Sequence, residues 1–270
     1  MEKINKYLSI FKISFQQEFA YRLNFIMWRV RNVMQFFLVF FLWDTVFSDP
    51  NRVVFGYNRD KILTYVFGIL LLRALVLSAR AVDVSSEISR GELTNYLLKP
   101  VNYFRYWFTR DVSSKALNLG FAIVEAAILY IVLKPPFFLQ TNFGTILSFI
   151  VSVCIAVFLF FSILFLVNMV SFWAPSMGWS AQFLLIVIAV EFLSGALFPI
   201  DVLPQTVQNV LSYSPFPYLL YYPLQIYLGK FTTGAIVKSL LISSAWAVFL
   251  LISINYVWKA GLKKYAAEGR

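Results

Sequence analysis

Six stretches of this 270-residue chain are almost wholly apolar, and shorter polar segments separate them. They cover roughly residues 25–47, 61–82, 112–133, 143–172, 179–199 and 235–258. Such lengths suit α-helices crossing a bilayer, which needs about 20 apolar residues. The pattern predicts an all-α polytopic membrane protein with about six transmembrane helices, forming one transmembrane domain over 1–270. Trp43, Trp107, Trp173, Trp179 and Trp258 fall near run ends, where an aromatic belt is expected.

Three segments depart from plain spans. Over 3–24, Ile4, Leu8, Phe11, Phe15 and Phe19 recur at spacings of three or four, with Lys3, Lys6, Lys12 and Glu18 between them. This predicts an amphipathic helix lying in the membrane interface. The first apolar run has no small-residue cleavage site, so it reads as a retained span and not a signal peptide.

Residues 83–100, DVSSEISRGELTNYLLKP, form a polar island between two spans. Ser89 and Glu92 fit an S-x-x-E capping box, with Ile88 and Leu93 placed as its hydrophobic staple. Pro100 stops the helix that follows, and Leu93, Tyr96 and Leu97 share one face. Two readings stay open for such a helix: it docks on a partner outside the bilayer, or it lies on the headgroups.

The third segment, 195–229, is too apolar for a solvated loop and too rich in proline for one helix. Gly195, Pro199, Pro204, Pro215, Pro217 and Pro223 punctuate it. Pro204 suits the first turn of a short helix with Val207, Val210 and Leu211 on one face. The pattern predicts two short helices that dip into the outer leaflet and return. Backbone of that kind must be buried in protein or line a wet cavity.

Composition sharpens this picture: 60% of residues are hydrophobic, 19% aromatic and 13% charged. A soluble domain is nearer one quarter charged. The net charge of +10 sits at the ends of the apolar runs, which is the pattern of membrane topology and not of nucleic-acid binding. With the N-terminus inside, sixteen Lys and Arg fall on that side, Arg80, Arg90, Lys99 and Lys115 among them. Arg52, Arg59, Lys61, Lys134, Lys230 and Lys238 fall outside, and Arg73 lies within a span, which accounts for all 23. The bias predicts that both termini and the 83–100 segment are cytoplasmic.

Candidate chemistry is sparse. The absence of histidine excludes His-based triads and His-ligated metals, and the single Cys154 lies in an apolar run. The stretch GKFTTGA at 229–235 lacks the Lys and Ser/Thr that a phosphate-binding loop needs after its second glycine. No paired carboxylates at catalytic spacing, no metal-ligand set and no cofactor motif is present. Three charges lie inside predicted spans: Arg73, Glu125 and Glu191. Each costs about 2.5–3.5 kcal/mol at a helix centre. Counted from their inner ends, all three lie ~10–17 Å deep, and the expected pair is Arg73 with Glu125. Such charges either lock helices together or face a substrate path.

Two segments carry a resemblance. EISRGELTNYLLKPVNYF (87–104) presents Ile88, Gly91, Leu93, Leu97, Leu98 and Pro100, and 194–229 presents a series of Gly, Leu-Pro and Pro-Phe motifs. In this order and topology they resemble the membrane (permease) subunit of bacterial type-2 ATP-binding-cassette (ABC) exporters, and the likeness covers nearly the whole chain. The resemblance implies that Glu87, Ile88, Ser89, Arg90, Gly91, Glu92, Leu93, Tyr96, Leu97 and Pro100 form a coupling helix that inserts into an ATPase subunit. It implies that the N-terminal helix braces it and that 195–229 forms the outer gate. ATP and Mg would be bound by the partner ATPase, with no cofactor in this chain. A second permease subunit, identical or related, would complete the pathway in the cytoplasmic (inner) membrane, surrounded by lipid. The competing reading is an ATP-independent secondary transporter or channel using the intramembrane charges. A membrane-embedded enzyme and a structural scaffold are weaker readings, because no reactive set is visible and the prolines of 195–229 suit a gate.

Overall fold

The computed structural model describes residues 2–20, 22–49 and 51–265, apart from the side chains of residues 2–5, 18–20, 22–25 and 28. The described residues are mostly helical, with no strand among them. Helix α1 (Glu2–Ala20) leads into α2 (Arg22–Val46). After a turn at 51–58, α3 (Arg59–Leu72) continues as a π-helical turn, Arg73–Leu77. A 3₁₀ turn (Arg80–Asp83), α4 (Val84–Ser89) and α5 (Thr94–Leu97) make up the polar island. The long helices α6 (Tyr103–Leu133) and α7 (Phe143–Asn168) follow. Next come α8 (Gly178–Phe183), a π-helical stretch (Leu184–Val190) and α9 (Glu191–Leu193). The connector holds α10 (Gln205–Leu211) and α11 (Tyr221–Tyr227), and α12 (Thr233–Lys264) closes the chain.

Local chemistry sets the ends of the long helices. The side chains of Asn102, Asn142 and Thr232 accept the N–H of Arg105, Thr145 and Ala235, which caps α6, α7 and α12. Helix α6 ends where Lys134 turns into the left-handed region at φ 43°.

Four helices of the described residues are long and apolar enough to cross a membrane: Tyr103–Leu133, Phe143–Phe172, Pro175–Leu193 and Thr233–Lys264. The bent pair Arg59–Leu77 and Arg80–Ser89, which meet at 41°, raises the number to five. Six apolar runs were expected. Helix α2, the first of them, carries Arg29, Arg31 and Asp44 and stands outside that set. The run at 61–82 is not one helix either, because it breaks at Ser78 and Ala79, whose backbones are extended.

Helix α7 lies at the centre. Over half (56%) of its apolar window is buried, against 17% for α6 and for α12. Leu159, Phe160, Phe161, Leu164 and Phe165 of α7 are at most 1% exposed. The outward faces of α2, α6 and α12 are apolar and exposed, as helices surrounded by lipid require. Trp107 departs from the expected aromatic belt: it is fully buried, because its indole N–H has a partner inside the protein.

The N-terminal helix packs along α6 and turns part of its expected stripe, Phe11 and Phe15, inward, while Leu8 departs from it. Leu8 and Ile13 are exposed, whereas Ser14 is buried and Tyr7, Ile10, Phe11 and Phe15 are half-buried. The Ser113 hydroxyl, donating to the Phe11 carbonyl at 3.0 Å, sets that rotation. Ile4, Phe19, Lys3 and Glu18 of the expected pattern lie outside the described side chains.

One close approach tests this packing. A Cβ on Gly261 of α12 would lie 2.3 Å from the Phe172 ring. That ring is wedged among Trp173, Trp258 and Tyr265, with centroids 5.7–6.0 Å away. Gly261→Ala should therefore destabilise the protein by about 1–3 kcal/mol, the cost of overpacking. Adding Phe172→Leu should recover part of the loss in detergent thermal unfolding. An unchanged midpoint in Gly261→Ala would show that the two helices are not in close contact here.

Candidate functional site

The polar island is shaped by a glycine and not by a capping box. Gly91 adopts φ +75°. Its N–H donates to the Ile88 carbonyl at 3.2 Å, and the Glu92 N–H donates to the Glu87 carbonyl at 3.0 Å. This is a Schellman ending, in which glycine supplies the left-handed residue. Ser89 is thus the last residue of α4 and not the cap of the next helix. Its hydroxyl donates to the Ser85 and Pro175 carbonyls, at 2.8 and 2.9 Å. The expected S-x-x-E capping box does not form, because the glycine between its ends favours stopping a helix over starting one.

Glu87 anchors the island. Its carboxylate accepts the Tyr96 hydroxyl at 2.9 Å, the Tyr103 hydroxyl at 2.7 Å and the Trp107 indole N–H at 3.3 Å. It is 8% exposed and faces inward, as do Ile88 and Leu93. The face expected of Leu93, Tyr96 and Leu97 is therefore divided: Leu93 is buried, Tyr96 is half-buried and Leu97 is exposed. The outward side presents Arg90, Glu92, Asn95, Leu97, Lys99 and Pro100, with Leu98 82% exposed. Further ties reach the rest of the bundle. Ser85 and Ser171 share a hydrogen bond of 2.6 Å, Thr94 meets Tyr265 at 3.3 Å, and the Lys6 ammonium of α1 donates to the Pro100 carbonyl at 2.5 Å. Gly178 closes against this joint, since any Cβ there would strike Ser85 and Ser171.

Behind the island, the break in the second apolar run is held by side chains that sequence reasoning missed or misplaced. Lys115, counted above as a flanking charge, is 2% exposed. It donates to the Val76 carbonyl at 2.9 Å and to that of Ser78, and pairs with Asp111 at 3.3 Å. Asp111, wholly buried, accepts the Arg80 N–H at 2.9 Å. Asn168 donates to the Ala81 carbonyl at 3.0 Å, and Gln182 to that of Val82 at 2.8 Å. The available signal was the i, i+4 spacing of Asp111 and Lys115, which puts them on one helix face.

The intramembrane charges pair differently from expectation. Glu125 binds Arg29 of α2 at 3.1 Å. Arg73 makes a two-pronged contact with Glu191, one arm at 2.9 Å. Gln35 donates to the same carboxylate at 3.2 Å, and Arg31 stands 3.9 Å away. Arg73 and Glu125 are not partners. Depth along each helix was a fair guide, but depth does not say which faces meet.

The connector is built around Asp201, which the sequence did not single out. Its carboxylate accepts the hydroxyls of Tyr57 (2.6 Å) and Tyr221, the Gln225 amide and the Lys230 ammonium (2.8 Å). Lys230 also lies over the Tyr57 ring, 3.3 Å from its centroid. Burial pushes the Lys230 ammonium down, while the hydrogen bond it donates to Asp201 works in the opposite direction. Burial likewise pushes the Tyr57 hydroxyl well up, so it stays a donor. Gly195 turns at φ +84°, where its carbonyl accepts the Tyr65 hydroxyl at 2.7 Å. Pro199 and Pro217 are buried, Pro215 is half-buried, and Pro204 is exposed and precedes α10 directly. Leu211 faces inward, but Val207 and Val210 are exposed.

Among the described residues, no cluster of acidic residues or cysteine could hold a metal ion. Residues 33–269 match the model of a family described as "ABC-2 family transporter protein". No curated protein matches the chain.

Lys115→Met would leave Asp111 buried and unpaired and strip two carbonyls of their donor. It should cost about 3–5 kcal/mol. Asp111→Asn keeps an acceptor for Arg80 and should cost less; equal thermal stability of Lys115→Met and the parent would refute the bridging role. In a double-mutant cycle, Arg73→Ala and Glu191→Ala should couple by more than about 0.5 kcal/mol, whereas Arg73→Ala and Glu125→Ala should simply add.

Proposed function

The chain belongs to the ABC-2 family of transporter proteins, and from that premise we propose that it is the permease subunit of an exporter driven by a separate ATPase. Membership makes it a multi-pass membrane component of an ABC transport system, a family whose role is transport and not catalysis. ATP and Mg would then be handled by the partner, which engages the 83–100 segment from the cytoplasm. Both termini lie on that side, and the membrane is the bacterial inner membrane. A second permease subunit, identical or related, completes the pathway.

One observation carries the coupling role. The 83–100 segment is tied by side chains to α1, α6, the end of α7, the residues before α8 and the residue after α12. Its outer face meanwhile leaves Leu97 and Leu98 exposed beside Arg90 and Glu92. A short element with an uncovered apolar tip and a fixed base suits the transfer of force. Motion of an ATPase pressing on Leu98 would pass through Glu87 to Tyr103 and Trp107, and so to α6 as a body. Closure of the ATPase on ATP then shifts the helices between inward-facing and outward-facing arrangements. A headgroup-bound helix would not need such ties to five neighbours. At the other end of the bundle, the Asp201 cluster holds the connector shut as the outer gate. The intramembrane carboxylates are each paired with arginine, which supports a helix-locking role over a proton path.

Extraction in mild detergent should bring down a nucleotide-binding subunit, identified by mass spectrometry, together with ATPase activity. Leu98→Asp and Glu92→Lys should each lower the recovered ATPase about tenfold or more, as expected for residues at the centre of an interface. Membrane insertion should be intact in both. Gly91→Pro should act likewise, because proline cannot adopt a positive φ. A chain that purifies alone, without ATPase, would overturn the reading in favour of a secondary transporter.

A further inference from the structure

A cavity of about 290 Å³ opens between the start of α6 and the end of α12, over the flank of α7. Its wall is apolar, made of Phe104, Phe165, Leu251 and Ile254, and its polar lining includes Arg105 and Asn255. Pockets for whole drug-sized ligands begin near about 300 Å³, so this one suits part of an elongated molecule whose remainder stays outside. Leu251, Asn255 and Arg105 are exposed, which makes them the open side. Among the described residues, the Arg105 guanidinium has no hydrogen-bond or ion-pair partner, although its backbone N–H is used in capping α6.

Both helices grade from apolar to basic toward the same end. On α12, Leu251, Asn255, Lys259 and Lys263 follow one another at i+4 and so share a face. On α6, Arg105 shares a face with Phe108 and Val112 at i+3 and i+7. The order of hydrocarbon, amide and cation matches the order of acyl chain, interface and phosphate met on leaving a bilayer. Basic pockets between spans on the inner side select anionic headgroups. The far side of the cavity is firm: Tyr103 and Trp258 line it too, stacked at 5.2 Å, and the Tyr103 hydroxyl is fixed by Glu87.

We propose that this cavity holds one acyl chain of an anionic phospholipid, with its phosphate at Arg105. The site needs only that these helices lie in a bilayer, so it stands or falls apart from the transport reading.

Native mass spectrometry of the full-length protein tests it, with phosphatidylglycerol, phosphatidylcholine of the same chains and inorganic phosphate as probes. Phosphatidylglycerol should be retained about fivefold or more over phosphatidylcholine, the ratio expected from one basic residue near the headgroup. Inorganic phosphate alone should not be retained. Arg105→Gln should abolish the preference between the lipids, and Leu251→Trp, which fills the cavity, should reduce both. Equal retention of the two lipids by the wild type would overturn the proposal, and that comparison needs no variant to fold. Tight retention of inorganic phosphate would overturn it in favour of a free-anion site. A second copy seated on this face would show as disulfide dimers of Leu251→Cys in a Cys154→Ser background, unchanged by any lipid, and would also overturn it.

Discussion

The structure depends on how one broken helix is made tolerable inside an apolar bundle. Between Leu77 and Arg80 the chain leaves helical geometry, and its carbonyl and N–H groups lose their partners along the axis. In surroundings without water each such group costs several kcal/mol unless something else binds it. Here Lys115 and Asp111 of α6, Asn168 of α7 and Gln182 of α8 supply the missing partners. Three helices are thereby fixed around one break, and the 83–100 segment takes its exit angle from it. The Arg–Glu pairs and the Asp201 cluster repeat the solution at other depths. Each places polar side chains where apolar packing alone would leave helices free to turn.

Much of the architecture was legible because apolar periodicity speaks directly about what a helix must bury. The helical class, the polar island and a connector made of two short helices all follow from run lengths and prolines. The family could be read from the residues around Gly91 and after Gly195, and the match over 33–269 agrees with it. What was not legible depends on which faces meet. Arg73 and Glu125 lie at similar depths, yet they bind Glu191 and Arg29. Lys115 looked like a headgroup lysine because sequence cannot show a pair of free carbonyls waiting across the bundle. Ser89 and Glu92 matched a local rule that Gly91 overrides, since a positive φ stops α4 there.

The two ends of the bundle are built on the same plan. At one, Glu87 gathers two tyrosines and a tryptophan; at the other, Asp201 gathers two tyrosines, a glutamine and a lysine. In each a single carboxylate collects several donors: those of Glu87 lie within 20 residues of it, whereas Asp201 also reaches Tyr57, 144 residues away. Between the two clusters the helices meet mostly through Phe, Leu and Val. Polar geometry is therefore concentrated where the chain must hold a fixed shape, and apolar contact is used where helices can slide.

The separation of charge partners along the chain also bears on how the protein is made. Asp111 and Lys115 stand one turn apart on α6 and enter the membrane already neutralised. Arg29 and Glu125 are 96 residues apart, and Arg73 and Glu191 are 118 apart. At about 5–20 residues per second of synthesis, each arginine waits roughly 5–25 s for its carboxylate to emerge. Helices α2 and α3 cannot take their final seats until α6 and α9 have left the ribosome. The arginine of each early helix thus meets its carboxylate only after a later helix has been made.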